Sequence, residues 1–283
     1  MSSLQLFAVT SSGPQPLPVA ANASELADLY EGLSLGVYSS LRTFEHNKFL
    51  WLDHHLARTV RSMRALGWTY IWDEATLRQA LDQVCSAFPG AEMRVRIDVL
   101  AEPAHKLGTE SRLLIGLAPF SPPPATLYEQ GVALDFAPGL ARTSPLVKTA
   151  DFVKARENIQ RTDAYEYLMT NQEGQILEGL SSNFYGVLGD VVYTANEGVL
   201  EGITRQIILE QIDHLSIPLQ LRPIVVDEVA NLTEAAISSS SRALLPVVRI
   251  GEQVIGDGKP GPICRQILAA YNEFVQREIQ PAA

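Results

Sequence analysis

Cysteine is scarce in this chain: Cys85 and Cys264 are the whole supply among 283 residues. Two thiols cannot build a disulfide framework. The stretch from Met1 to Pro18 has no basic start followed by a long apolar run, so a cytoplasmic protein with reduced thiols is expected. Both cysteines stand in helical patterns and read as buried filler. Histidine is sparse as well, and none of His46, His54, His55, His105 and His214 pairs with Cys or Asp at metal-ligand spacing, so no metal is expected. No window reaches the roughly eighteen apolar residues of a membrane span. Positive charge is the minority sign, with 22 Lys and Arg against 32 Asp and Glu and a formal net charge of -10. Such a chain repels nucleic acid and anionic membranes.

What remains is an ordinary globular composition, 46% hydrophobic and 19% charged, at a length that allows two modest domains or one large one. Residues 35–44 read as a strand, Glu45–Lys48 as a turn and Phe49–Trp51 as a second strand. Asp53 is expected to cap a helix carrying Leu56, Val60 and Met63 inward and closed by Gly67. Asp73 caps another, with Leu77, Leu81, Val84 and Phe88 on one face. From Met93 to Leu100 apolar residues alternate with Arg94, Arg96 and Asp98, the pattern of a half-buried strand. Leu113–Leu117 is a more buried one. Pro119-Phe120-Ser121-Pro122-Pro123-Pro124 can continue neither helix nor strand. It is read as a linker over 119–128, between a small domain at 1–118 and a larger one at 129–283. In the latter a helix follows Lys148 to about residue 162. Strands follow at 165–170, 175–177, 184–188 and 191–194, with Gly189-Asp190 as a hairpin turn. Helices start near Thr204 and Pro262, and Ala235–Ser239 is strand-like.

The most informative stretch runs from Gln175 to Arg205. Glu178 stands in a run of small residues, Glu178-Gly179-Leu180-Ser181-Ser182-Asn183, and further on Gly202-Ile203-Thr204 opens an amphipathic helix. A helix start presents unpaired N–H groups and a positive dipole end, which suits a phosphate. With Lys148 upstream, a lysine, a carboxylate and an anion-binding helix start together make a cradle for pyridoxal phosphate. That cofactor needs a lysine for its aldehyde and a carboxylate for its ring nitrogen.

Four separated segments carry a family resemblance: Gly36-Val37-Tyr38 with Leu41-Arg42; His55-Leu56-Ala57-Arg58; Glu178-Gly179 through Ser182-Asn183-Phe184; and Leu200-Glu201-Gly202-Ile203-Thr204-Arg205. The tail Ile255–Pro262 is similar too. In order and rough spacing the chain resembles the fold-type IV pyridoxal-phosphate enzymes, which include branched-chain aminotransferases, D-amino-acid aminotransferases and aminodeoxychorismate lyases. The resemblance implies a two-domain α+β fold. Its N-terminal α/β domain is small, and the larger C-terminal domain has a mixed, barrel-like sheet. It also implies a homodimer. Lys148 corresponds to the lysine that bonds the cofactor; Lys154, two turns into the following helical pattern beside Arg156 and Glu157, reads as a polar helix face. Glu178 corresponds to the partner of the ring nitrogen. The phosphate falls to Arg58, to the N–H groups of Ile203 and Thr204 with the Thr204 hydroxyl, and to Ser240 and Ser241. Which hydroxyl of Ser238–Ser241 serves stays open. Leu200 packs on the ring or in the core, and Tyr38 lines the substrate side or the core.

The departures concern the substrate. Ala101-Glu102 stands where many relatives have Arg-Gly, Met93-Arg94-Val95-Arg96 where branched-chain enzymes carry Tyr-x-Arg-Pro, and Asp151-Phe152 where many have Asn-Tyr. A substrate carboxylate must still be met, because burying it unpaired is costly; Arg42, Arg94 or Arg96 is the expected counter-charge. The activity implied is transfer of an amino group between an amino acid and a 2-oxo acid, with aliphatic or branched amino acids and 2-oxoglutarate as first expectation. Elimination of pyruvate, as in the aminodeoxychorismate lyases, would use the same lysine and glutamate.

Overall fold

The computed structural model describes residues 4–34, 36–137, 148 and 163–283. They divide into two compact units. The first holds the residues up to Ser121, together with Lys148 and Glu278–Ala283; the second runs from Pro122 to Ala137 and from Asp163 to Arg277. Lys148 and the last six residues therefore depart from a contiguous division at the proline run. The helix expected after Lys148 lies outside the described residues.

In the first unit β1 (Gln5–Thr10), β2 (Gly13–Pro16), β3 (Gly36–Phe44), β4 (Lys48–Leu50), β5 (Met93–Leu100), β6 (Leu113–Pro119) and β17 (Ile279–Pro281) form one antiparallel sheet in the order β17-β4-β3-β5-β6-β1-β2. Helices α1 (Leu52–Ala65) and α2 (Glu74–Ser86) contribute to one core. Val37 and Leu41 of β3 and Met93, Val95, Ile97 and Val99 of β5 meet Leu56, Met63, Leu77, Leu81 and Val84 there. Side chains alternate across a pleated strand, so Tyr38, Arg42, Arg94, Arg96 and Asp98 take the opposite face. Leu100, also on that face, packs with Leu6, Leu26, Leu29 and Tyr30 in a second core.

That second core corrects the reading of β5. Arg94 is exposed, but Arg96 and Asp98 are buried, because each supplies the charge the other needs. The start of α1 also differs. Asp53 lies in its first turn, and the capping position is Trp51, held in the left-handed region at φ 50°. The end of α1 follows expectation: Gly67 has φ +73°, its N–H reaches the Arg64 carbonyl at 2.9 Å and the Trp68 N–H reaches Met63 at 2.9 Å, the pair of bonds that closes a helix on glycine. Asp73 caps α2, accepting from the Ala75 and Thr76 N–H groups at 3.3 and 3.2 Å.

The second unit begins with α3 (Ala125–Gln130) and β7 (Val132–Phe136), followed in the described chain by β8 (Glu166–Thr170), β9 (Gln175–Gly179), β10 (Asn183–Leu188) and β11 (Val191–Tyr193). Then come α4 (Ile203–His214), β12 (Leu219–Gln220), β13 (Ile224–Val225), β14 (Glu234–Ser239), β15 (Ala243–Ile250), β16 (Gln253–Val254) and α5 (Pro262–Glu278). Six of these strands close a barrel in the order β10-β14-β15-β7-β8-β9, with β7 parallel to both β8 and β15. The closing pair is Asn183 of β10 opposite Glu178 of β9. Val132, Leu134, Leu168, Phe184, Ile237, Leu245 and Val247 belong to its core. The fold is mixed α+β, as the resemblance implied.

Candidate active site

Glu178 occupies the seam of the barrel and is only 2% exposed. Its Oε2 accepts from the Leu200 N–H at 3.1 Å and from Asn183 Nδ2 at 3.3 Å. The same Asn183 nitrogen donates to the Leu200 carbonyl at 3.0 Å. One amide side chain thus ties the carboxylate to the loop that leads into α4. Two glycines make this approach possible: a Cβ at Gly202 would collide with Asn183 Oδ1, and one at Gly179 would collide with Ser182 Oγ.

Gly202 is also the capping residue of α4 and offers no side chain to the first turn. The opening N–H groups of a helix have no partner within it, so Ile203, Thr204 and Arg205 present donors with the positive end of the helix dipole. Thr204 and Arg205 are buried. Arg205 gives Nη2 to the Ala195 carbonyl at 2.9 Å, while its buried Nε has no hydrogen-bond partner among the described residues. Leu200 is buried just before this turn. Ser240 and Ser241 lie in the turn between β14 and β15, half-buried, with Ser241 Oγ 3.3 Å from Ser239 Oγ. Ser238, by contrast, is buried within β14 and bonded to the Tyr185 hydroxyl at 2.9 Å. Within this unit the structure brings Glu178, Leu200 and the start of α4 into one hydrogen-bonded network.

The first unit holds the other candidates. Arg58 of α1 is buried, 4% exposed, and donates Nη2 to Ser39 Oγ at 3.1 Å. Ser39 lies on the helix-facing side of β3 and donates to the His55 carbonyl at 3.1 Å. His55 is buried too, and its Nδ1 has no hydrogen-bond partner among the described residues. Burial, then the positive charges of Arg58 and Lys148, hold the His55 pKa well below its ordinary value, so the ring is neutral at neutral pH. Lys148 is half-buried. Its carbonyl accepts from the Tyr38 N–H at 3.0 Å, and its Nζ lies 5.1 Å from the centre of the Tyr38 ring.

The three arginines expected to meet a carboxylate have different surroundings. Arg42 pairs with Glu92 at 2.6 Å and lies 4.2 Å from the centres of the Phe44 and Phe120 rings. Arg94 stands exposed on β5. Arg96 is clasped by both oxygens of Asp98, at 2.8 and 2.6 Å, and lies 4.1 Å from the ring centres of both Tyr30 and Tyr38. Burial is the largest influence on this guanidinium and works against it, but the Asp98 carboxylate together with Tyr30 and Tyr38 outweighs it and raises the pKa. Burial also pushes the Asp98 carboxyl up against the pull of Arg96; the short forked geometry is that of a carboxylate paired with a guanidinium. Sequence reasoning missed Asp98 as a member of this cluster. For Asp98 the available signal was an acid two residues from Arg96 on one strand face.

Among the described residues the donor set fits pyridoxal phosphate: a buried carboxylate held in place, a helix start with no side-chain cap, and a buried guanidinium nitrogen without a partner in that first turn. Comparison with known proteins agrees. Residues 36–250 match the family described as Amino-transferase class IV. The D-alanine aminotransferase of Bacillus licheniformis is 26% identical over 258 residues, 86% of this chain and 88% of that protein. The "Probable branched-chain-amino-acid aminotransferase" of Thermotoga maritima is 27% identical over 259 residues, 87% of this chain and 88% of that protein. Among solved structures, the T.th. branched-chain amino acid aminotransferase with pyridoxamine 5'-phosphate has a TM-score of 0.81 at 17% identity, covering 99% of this chain and 98% of that one. The chain belongs to the class IV aminotransferases.

Proposed function

We propose that the chain moves an amino group between an amino acid and a 2-oxo acid, with Lys148 bonding the aldehyde carbon of pyridoxal 5'-phosphate and Glu178 paired with the ring nitrogen. The observation that carries the reading is the buried Glu178 carboxylate, tied through Asn183 to the loop that leads into the uncapped start of α4. When bound, the cofactor supplies an electron sink for the α-carbon. A buried, fixed carboxylate keeps its ring nitrogen protonated and strengthens that sink. The N–H groups of Ile203 and Thr204, the Thr204 hydroxyl, Arg58, and Ser240 or Ser241 take the phosphate, and Leu200 packs on the ring. With the cofactor bound, the Lys148 amine would be the group to take the proton from the α-carbon, acting as general base and acid. Tyr38, beside its Nζ, lines the substrate side.

Aliphatic side chains suit this site, because Arg42 and Arg96 each already have an acidic partner. Both relatives named above are aminotransferases, which supports transfer over elimination. We further propose a cytoplasmic homodimer; among the described residues no helix is long and apolar enough to cross a membrane. The test is a screen of amino donors of both hands against pyruvate and 2-oxoglutarate, with initial-rate kinetics. Parallel double-reciprocal lines and conversion of the bound cofactor to its amine form by donor alone are expected. An enzyme that released pyruvate from an enol-pyruvyl substrate without converting its cofactor would refute the reading.

A further inference from the structure

Behind the Tyr38 ring lies a charged pair that the transfer reaction does not use. Tyr30, Arg96, Tyr38 and Lys148 form a column in which rings and cations alternate: 4.1 Å from the Tyr30 ring centre to Arg96 Cζ, 4.1 Å from there to the Tyr38 centre, and 5.1 Å from that centre to Lys148 Nζ. Tyr38 and Asp98 are also direct cross-strand partners on β3 and β5. The Tyr38 ring is thus shared by Lys148 Nζ and by the Arg96 of the Arg96–Asp98 pair. An unpaired Arg96 would draw a second carboxylate toward that end of the site. Asp98, 1% exposed and bonded to Arg96 through both oxygens, cancels that charge.

We propose that Asp98 is a specificity-determining residue: by balancing Arg96 it leaves a neutral surface beyond Tyr38, so the enzyme prefers amino and oxo acids with no second carboxylate, and accepts pyruvate over 2-oxoglutarate. The inference rests on the assignment of Lys148 as the reacting amine. Asp98 touches no substrate; it acts through Arg96, and its effect belongs in discrimination between substrates. Because one reaction cycle passes donor and acceptor through the same site, the preference applies to both, and glutamate is disfavoured along with 2-oxoglutarate.

The experiment compares kcat/KM for pyruvate and for 2-oxoglutarate, with one aliphatic donor, in cofactor-loaded wild type and three variants. In Asp98→Asn the guanidinium keeps its charge and loses its counter-charge, and the ratio moves toward 2-oxoglutarate by about tenfold, as an unbalanced unit charge near the substrate in a partly buried site should produce. The change is expected in KM more than in kcat. Arg96→Gln leaves Asp98 unbalanced and shifts the ratio the opposite way. The double variant Arg96→Met with Asp98→Leu removes both charges and keeps the wild-type ratio. Each variant reads a different sign, so the failure of one to fold leaves the others decisive. An unchanged ratio in the folded single variants, or a double variant that moves as far as Asp98→Asn, overturns the proposal. A wild type that transfers no amino group at all would instead overturn the function on which it rests.

Discussion

Asn183 faces three ways at once: toward the Glu178 carboxylate, the Leu200 carbonyl and the space that a side chain at position 202 would need. Gly202→Ala therefore forces Asn183 out of position. The cost in stability is about 1–3 kcal/mol, typical of an overpacked buried site, and cofactor affinity falls with it; denaturant unfolding and cofactor titration measure the two effects. His55 yields a pH prediction. Its pKa is depressed in the fold relative to its ordinary value of 6.5, so the unfolded chain takes up a proton there before the native one does. The stability contributed by neutral His55 is full above that value and is lost as the pH falls below it. Thermal unfolding should show Tm falling from pH 7 to pH 5, and His55→Gln should flatten that slope; an equal slope in both would contradict the assignment. At this scale Glu178 and Thr204 were legible because they stand in short runs whose chemistry is local. Asp98 was not: alternation along β5 assigns its charged residues to the solvent side, and the cover supplied by Leu26, Leu29 and Tyr30, far back in the chain, makes that face an interior one.

Elements were legible where their ends carry local signals. Gly67 and Asp73 marked the end of α1 and the start of α2, since a left-handed residue and an N-terminal acceptor act within a few residues. Among the described residues, and apart from its own chain neighbours, no atom lies within 4 Å of where a Cβ would be at Gly67, so Gly67→Ala is a test of backbone conformation alone. It should cost about 1 kcal/mol in denaturant unfolding, the left-handed penalty of a non-glycine residue. The start of α1 was misread because Asp53 has the composition of a cap, whereas the chain turns into the helix at Trp51, whose ring stacks on His54 at 4.0 Å between centroids. That contact is between rings, and propensity at Asp53 carries no record of it.

Closure of the barrel belongs to the whole molecule. Its strands β7, β8 and β15 are neighbours across gaps of dozens of residues, and β17 returns from the end of the chain to pair with β4. Nothing local dictates such pairings; they follow from which faces must be buried. The family resemblance, spread over segments from Gly36 to Pro262, supplied what periodicity could not. Two buried thiols report on the integrity of both units. Cys85 lies in the first and Cys264 in the second; burial pushes the Cys85 thiol up to about 12 and the Cys264 thiol well above its usual range. Neither should react with a thiol reagent at neutral pH until the fold opens, and both should react in denaturant; rapid labelling of the native protein at either would contradict this packing. The central claim is more direct still, that one amine bonds the cofactor. Borohydride reduction of the cofactor-loaded protein, followed by peptide mass mapping, should place a phosphopyridoxyl group on Lys148. A label on Lys154, or none on any lysine, would contradict it.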